Sequence, residues 1–225
     1  MKNKTINLVR LFALLHVVIG AVLTCIALTP IRLIDISTVI TYIIYDYTFP
    51  VTAQILFLIY IFAFYDKKPN HILLPISYIM YVCDLGIVLI RNMLPGIKTY
   101  LGLHNVVALF RYLFLQVLGE YLVPIAFFVF LIIVCFTKFR LINTARQMVI
   151  IYSAISIALL LLNIPRVCEL IDVYQKAAAS YSTSIVSVYK ANIYLYFAGA
   201  TYLFNIIANF FLWRFALPNK IKENA

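Results

Sequence analysis

Long apolar runs broken by short polar breaks dominate the chain. Six of them approach the roughly 20 residues that a helix needs to cross a bilayer. They read as Leu8–Thr29, Phe49–Tyr65, Ile72–Ile90, Tyr121–Phe136, Met148–Ile164 and Ala191–Trp213, the fourth and fifth being short. Between the runs of each pair lies a longer segment with a different rhythm. In Ile31–Tyr47, Asp35, Thr38, Tyr42 and Tyr45 recur every three to four residues among isoleucines and valine. That period predicts an amphipathic helix in the interface. Leu101–Gly119, with Asn105, Tyr112, Gln116 and Glu120 as its stripe, and Arg166–Lys190 read the same way. Residues 101–118 are also apolar enough for a re-entrant or seventh span; an interfacial or re-entrant helix keeps the downstream charge pattern intact.

The expected fold is therefore an all-α integral membrane protein. Its six transmembrane helices form three helical hairpins within one domain, 1–225, with amphipathic helices on the extracytoplasmic side. The odd-numbered spans end near Pro30, Pro95 and Pro165, each followed by a basic residue, and proline is a natural helix stop. Pro50 and Pro124 open the second and fourth spans, where a missing N–H matters least. Together these marks suggest a threefold hairpin repeat over 8–67, 72–138 and 148–214.

Composition supports this setting. Of 225 residues, 65% are hydrophobic and 12% charged, against about 25% charged in soluble domains. Mean hydropathy is +1.01. The net charge of +10, from 18 Lys and Arg against eight Asp and Glu, is an orientation signal. Lys2, Lys4, Arg10, Lys67, Lys68, Lys138, Arg140, Arg146, Arg214, Lys220 and Lys222 fall on one side of the six-span arrangement. Arg32, Arg91, Lys98, Arg111, Arg166, Lys176 and Lys190 fall on the other, diluted in longer loops and offset by six acidic residues. Basic residues flanking spans mark the cytoplasmic face, so both termini are expected there, in a bacterial inner membrane or an organelle inner membrane. The first run is too long for a signal peptide, and no small-residue cleavage site follows it. No basic cluster with interleaved aromatics points to nucleic acid.

Candidate chemistry is sparse. Asp84 lies inside the third span, and an ionisable group in lipid is a functional candidate by default. Arg91, Arg111 and Glu120 are the charged side chains placed to join it, with His16 midway along the first span. A proton- or cation-coupling carboxylate competes there with a structural ion pair. Thr201, Asn205 and Asn209, at i, i+4 and i+8, form one polar face, suited to helix packing or to lining a pathway. The four cysteines lack metal-ligand spacing, three histidines give no haem-ligand pair, and no hydrolase, zinc-protease or phosphate-binding motif is present. No metal site, cofactor or enzymatic activity is expected. Two functions remain: a non-catalytic subunit or scaffold of a membrane complex, with lipid and protein partners or a second copy, and a small permease or substrate-capture component with an outward-facing polar site around Asp84.

Overall fold

The computed structural model describes residues 2–28, 48–102, 106–180 and 199–217. All regular structure among them is helical. Helix α1 spans Lys2–Leu28, and α2 spans Thr48–Ile59 and ends in a π-helical turn, Tyr60–Phe64. Helix α3 is Leu73–Gly102. Val106–Arg111 (α4) passes through a π-helical stretch, Tyr112–Leu122, into α5, Val123–Phe136. Helix α6 is Ile142–Ser180. The last helix, α7, occupies residues 199–211 and closes in a π-helical turn, Leu212–Ala216.

Four helical stretches are long and apolar enough to cross a membrane: Lys4–Val22, Leu73–Thr99, Leu109–Phe136 and Ile142–Leu162. They overlap the expected first, third, fourth and fifth spans. Thr48–Phe64, at the expected second span, is a shorter apolar helix. The described part of the sixth begins at residue 199. The expected interfacial helix over Ile31–Tyr47, with Pro30 and Arg32, lies outside the described residues, as do Lys190 and the start of the sixth span.

Burial on α6 shows what surrounds the bundle. Ala145, Val149, Tyr152, Ser153 and Ser156 are buried, one helical stripe that carries three hydroxyls inward. Ile150, Ile151, Ile155 and Ile157 face outward, exposed. Polar groups inside and isoleucines outside reverse the pattern of a helix on a water-soluble protein. The core repeats the theme: Ser77, His16 and Asn209 are buried beside Tyr78, Leu131 and Trp213.

Two expectations need correction. Proline does not end the third and fifth spans. Helix α3 runs on through Pro95 to Gly102, and α6 through Pro165 to Ser180. A transmembrane helix tolerates proline when neighbouring groups satisfy the backbone that it leaves open. Beside Pro95 the Tyr112 hydroxyl donates to the Asn92 carbonyl at 2.9 Å, one residue past the Arg91 carbonyl that the proline leaves without a helical donor. Gly96 makes room for it, since a Cβ there would stand 2.1 Å from the Tyr112 hydroxyl oxygen. Secondly, 101–118 is not a separate interfacial or re-entrant helix. From Val106 the helix continues without a turn to Phe136, by way of the π-helical stretch. Val123 N–H bonds the Leu118 carbonyl, five residues back, and Pro124, which has no N–H, follows at once. A residue without a donor lets the register pass from π back to α with no bond misplaced. Pro124 is thus an internal joint rather than a helix start.

One end of the bundle is tied tightly. Arg10 of α1 pairs with Asp66 beyond α2 and also donates to the Ile61 carbonyl. Tyr65 donates its hydroxyl to Ala216 O. Arg146 of α6 donates to Trp213 O at 3.2 Å and Leu217 O at 2.8 Å, placing a cation on the carbonyls that end α7. In the α5–α6 turn, Lys138 and Phe139 take φ of 50° and 59°. That turn tucks the buried Phe139 ring against Trp213, 5.7 Å between centroids.

Candidate functional site

A cavity of about 300 Å³ opens inside the bundle, toward the end opposite Arg146. Helix α1 gives it His16, α3 gives Tyr81 and Asp84, and the π-helical stretch gives Glu120. Pro124 and Phe128 of α5 and Tyr152 of α6 form another wall. Helix α7 supplies Thr201, Tyr202, Asn205 and Asn209. Six residues singled out in the sequence therefore meet at one place: His16, Asp84, Glu120, Thr201, Asn205 and Asn209. Arg91 and Arg111 do not line it. Both are exposed, Arg111 in the last turn of α4. Arg91 does share an electrostatic neighbourhood with Asp84 and Glu120 around the Tyr121 hydroxyl.

Hydrogen bonds on one wall form a chain with a single direction. The Trp213 indole N–H donates to the Tyr78 hydroxyl at 2.8 Å, and Tyr78 donates to Asn209 Oδ1 at 2.8 Å. Asn209 Nδ2 donates to the side-chain and backbone oxygens of Asn205. The Asn205 side chain bonds the Tyr81 hydroxyl, which is 3.0 Å from His16 Nε2. His16 Nδ1 is 2.9 Å from the Thr201 carbonyl.

Chemistry fixes every proton in this chain. A carbonyl only accepts, so His16 Nδ1 carries the hydrogen, and Nε2 accepts from Tyr81. His16 is thereby held as one neutral tautomer. Asn205 Oδ1 receives Asn209, which leaves its amide N–H for Tyr81. The first member, an indole N–H, and the last, a peptide carbonyl, do not exchange protons near neutral pH. The chain joins α1, α3 and α7. Beside it, the Tyr202 hydroxyl donates to Ser156 Oγ at 3.3 Å, and the Tyr152 hydroxyl bonds the same pair.

Aromatic rings frame the opposite wall. Tyr81 stacks on Phe128 with centroids 5.4 Å apart, and Tyr152 stacks on Phe127 at 3.9 Å. These rings went unremarked in the sequence because tyrosine and phenylalanine are common throughout it. Trp213 and Tyr65 each stand at the end of an apolar run, the usual place of an interfacial aromatic belt, yet both are buried. Each has found a polar partner for its N–H or O–H inside the bundle, which a buried Trp or Tyr requires. Among the described residues, no three His, Cys, Asp or Glu gather where a metal ion could be held.

In comparisons with protein families, curated proteins and solved structures, nothing matches this chain.

Proposed function

We propose that this chain is a six-span integral membrane protein that captures a small solute in the cavity beside Asp84. The observation that carries this reading is the convergence of His16, Asp84, Glu120, Thr201 and Asn205 from four separate helical segments on one cavity. Intramembrane polar groups used only for helix packing pair across a seam and leave no space between them. Here some sit around a volume within the range of small-ligand sites. Capture fits better than a proton-coupled permease, because the polar chain ends in two groups that do not titrate.

Orientation follows from charge. Arg10, Lys67, Lys68, Lys138, Arg140, Arg146 and Arg214 all belong to the tied end, and Asp66 is the acidic residue among them. The rule that basic loops stay inside makes that end cytoplasmic, together with both termini. The cavity then opens toward the outer face of a bacterial inner membrane, or of an organelle inner membrane.

A second reading, a non-catalytic subunit of a membrane complex, draws on the rigid hydrogen-bonded chain, which offers no moving part. One experiment separates the two. The protein is purified in mild detergent, its particle mass is measured, and its thermal unfolding is followed with a panel of cationic, neutral and anionic small solutes. Capture predicts that some solute raises the midpoint for the native protein and not for Thr201→Phe, whose ring fills the cavity. A stoichiometric complex with other chains, and no response to any solute, would establish the subunit instead.

A further inference from the structure

Resting on the capture reading, we infer that the cavity selects a small organic cation, an ammonium group carried on an apolar or aromatic body.

Most polar groups in the lining are already engaged with one another. His16 uses both ring nitrogens, on Tyr81 and on the Thr201 carbonyl. Asn209 uses its oxygen on Tyr78 and its amide nitrogen on Asn205, and Asn205 passes its own bond to Tyr81. The hydroxyls of Tyr152 and Tyr202 are engaged with each other and with Ser156. A neutral polyol or an anion needs donors from the wall, and most of these donors are committed.

Two kinds of surface keep binding capacity. One is the aromatic rings of Tyr81, Phe128, Tyr152 and Tyr202, of which the stacking of Tyr81 on Phe128 and of Tyr152 on Phe127 takes one face each. The other is the carboxylates of Asp84 and Glu120. A carboxylate offers about four acceptor positions, so a bond already made to it leaves others open. No Lys or Arg stands among the described residues that line the cavity. Aromatic faces with carboxylates recognise an ammonium group by cation–π attraction and charge-assisted hydrogen bonds. Size sets a further limit. At roughly 30 Å³ per water, the cavity of about 300 Å³ holds on the order of ten waters, enough for a compact monoamine and too small for a peptide. Of the two carboxylates in the lining, Glu120 is exposed and Asp84, on α3, is half-buried.

Three molecules of nearly one shape test this. Phenethylamine is cationic at neutral pH, phenethyl alcohol neutral and phenylacetate anionic. Binding of each to the full chain in nanodiscs is measured by equilibrium dialysis. The expected result is phenethylamine bound at least tenfold more tightly than either isostere. Asp84→Asn is expected to remove that preference, and Glu120→Gln to weaken it severalfold. Glu120 is exposed, so its variant tests the idea even if Asp84→Asn unfolds. Equal or tighter binding of the alcohol or of phenylacetate, displaced by Thr201→Phe, would overturn the cation assignment and leave solute capture standing. If none of the three binds, and the wider solute panel also leaves the unfolding midpoint unmoved, both ideas fall.

Discussion

Tyr81 donates its hydroxyl hydrogen to His16 Nε2 across the α1–α3 contact, at 3.0 Å and buried from solvent. The bond joins residues 65 positions apart and forces His16 to point Nδ1–H at the Thr201 carbonyl. Replacing Tyr81 by Phe keeps the ring against Phe128 and orphans the histidine nitrogen. An unmet buried acceptor costs about 1–3 kcal/mol. Tyr81→Phe should lower stability by that order in a detergent unfolding titration, while in the His16→Leu background the same change should cost less than half as much. Equal losses in the two backgrounds would mean that the bond contributes nothing.

Gly96 offers a steric test. Its missing side chain admits the Tyr112 hydroxyl to the Asn92 carbonyl, one residue past the carbonyl (Arg91) that Pro95 leaves without a helical donor. Gly96→Ala places a methyl group 2.1 Å from that oxygen, so Tyr112 must leave and the bond is lost. A drop of about 1–2 kcal/mol is expected, as for a lost hydrogen bond with some strain. In a Tyr112→Ala background, Gly96→Ala should be neutral or slightly stabilising, since alanine is the better helix former.

The polar stripe Thr201, Asn205 and Asn209 was legible in the sequence because four-residue spacing defines a helix face whatever its neighbours are. Asp84 was legible because a charge inside an apolar run is conspicuous. Partners across helices were not legible. Nothing in local pattern connects His16 with Tyr81, or Trp213 with Tyr78, because such pairs depend on which helices lie side by side. Pro95 misled for a related reason. Whether proline ends a helix depends on what packs beside it, and Tyr112, which braces the backbone at Asn92, comes from a different segment. Likewise Trp213 at the end of an apolar run has the pattern of a belt residue until Tyr78 and Phe139 are seen around it.

Arg146 caps α7 from another helix, through two bonds to the carbonyls of Trp213 and Leu217. A hydrogen bond from a charged donor is worth about 1.5–3 kcal/mol. Arg146→Gln should lose on the order of 2 kcal/mol and loosen the end of α7. Trp213 is the single tryptophan, so its fluorescence should shift to the red as water reaches the indole. Arg146→Lys should recover part of the loss, because one ammonium does not reproduce the fork of a guanidinium.

The α5–α6 turn holds Lys138 at φ 50° with its side chain exposed. A left-handed backbone costs an L-residue roughly 1 kcal/mol, and glycine avoids that strain. Lys138→Gly should therefore stabilise the protein or leave it unchanged, whereas Phe139→Gly, at φ 59° next door, should destabilise it by several kcal/mol. The difference is the buried ring on Trp213, whose loss is worth about 3–5 kcal/mol. Thermal unfolding of the two variants in parallel checks the contrast.

Orientation has its own test in Cys168, an exposed thiol on α6. At about 1.5 Å per residue, it stands roughly 39 Å along the helix from Ile142, beyond a hydrocarbon core of about 30 Å. If the tied end is cytoplasmic, Cys168 emerges on the outer face. A membrane-impermeant maleimide applied to intact cells should then label a Cys25→Ser variant, and adding Cys168→Ser should abolish that labelling. Cys83 is exposed within the candidate span Leu73–Thr99, and a charged reagent does not partition into hydrocarbon at that depth. Protection of Cys168 in intact cells, with labelling in inverted vesicles, would turn the protein over and place the mouth of the cavity on the cytoplasmic side.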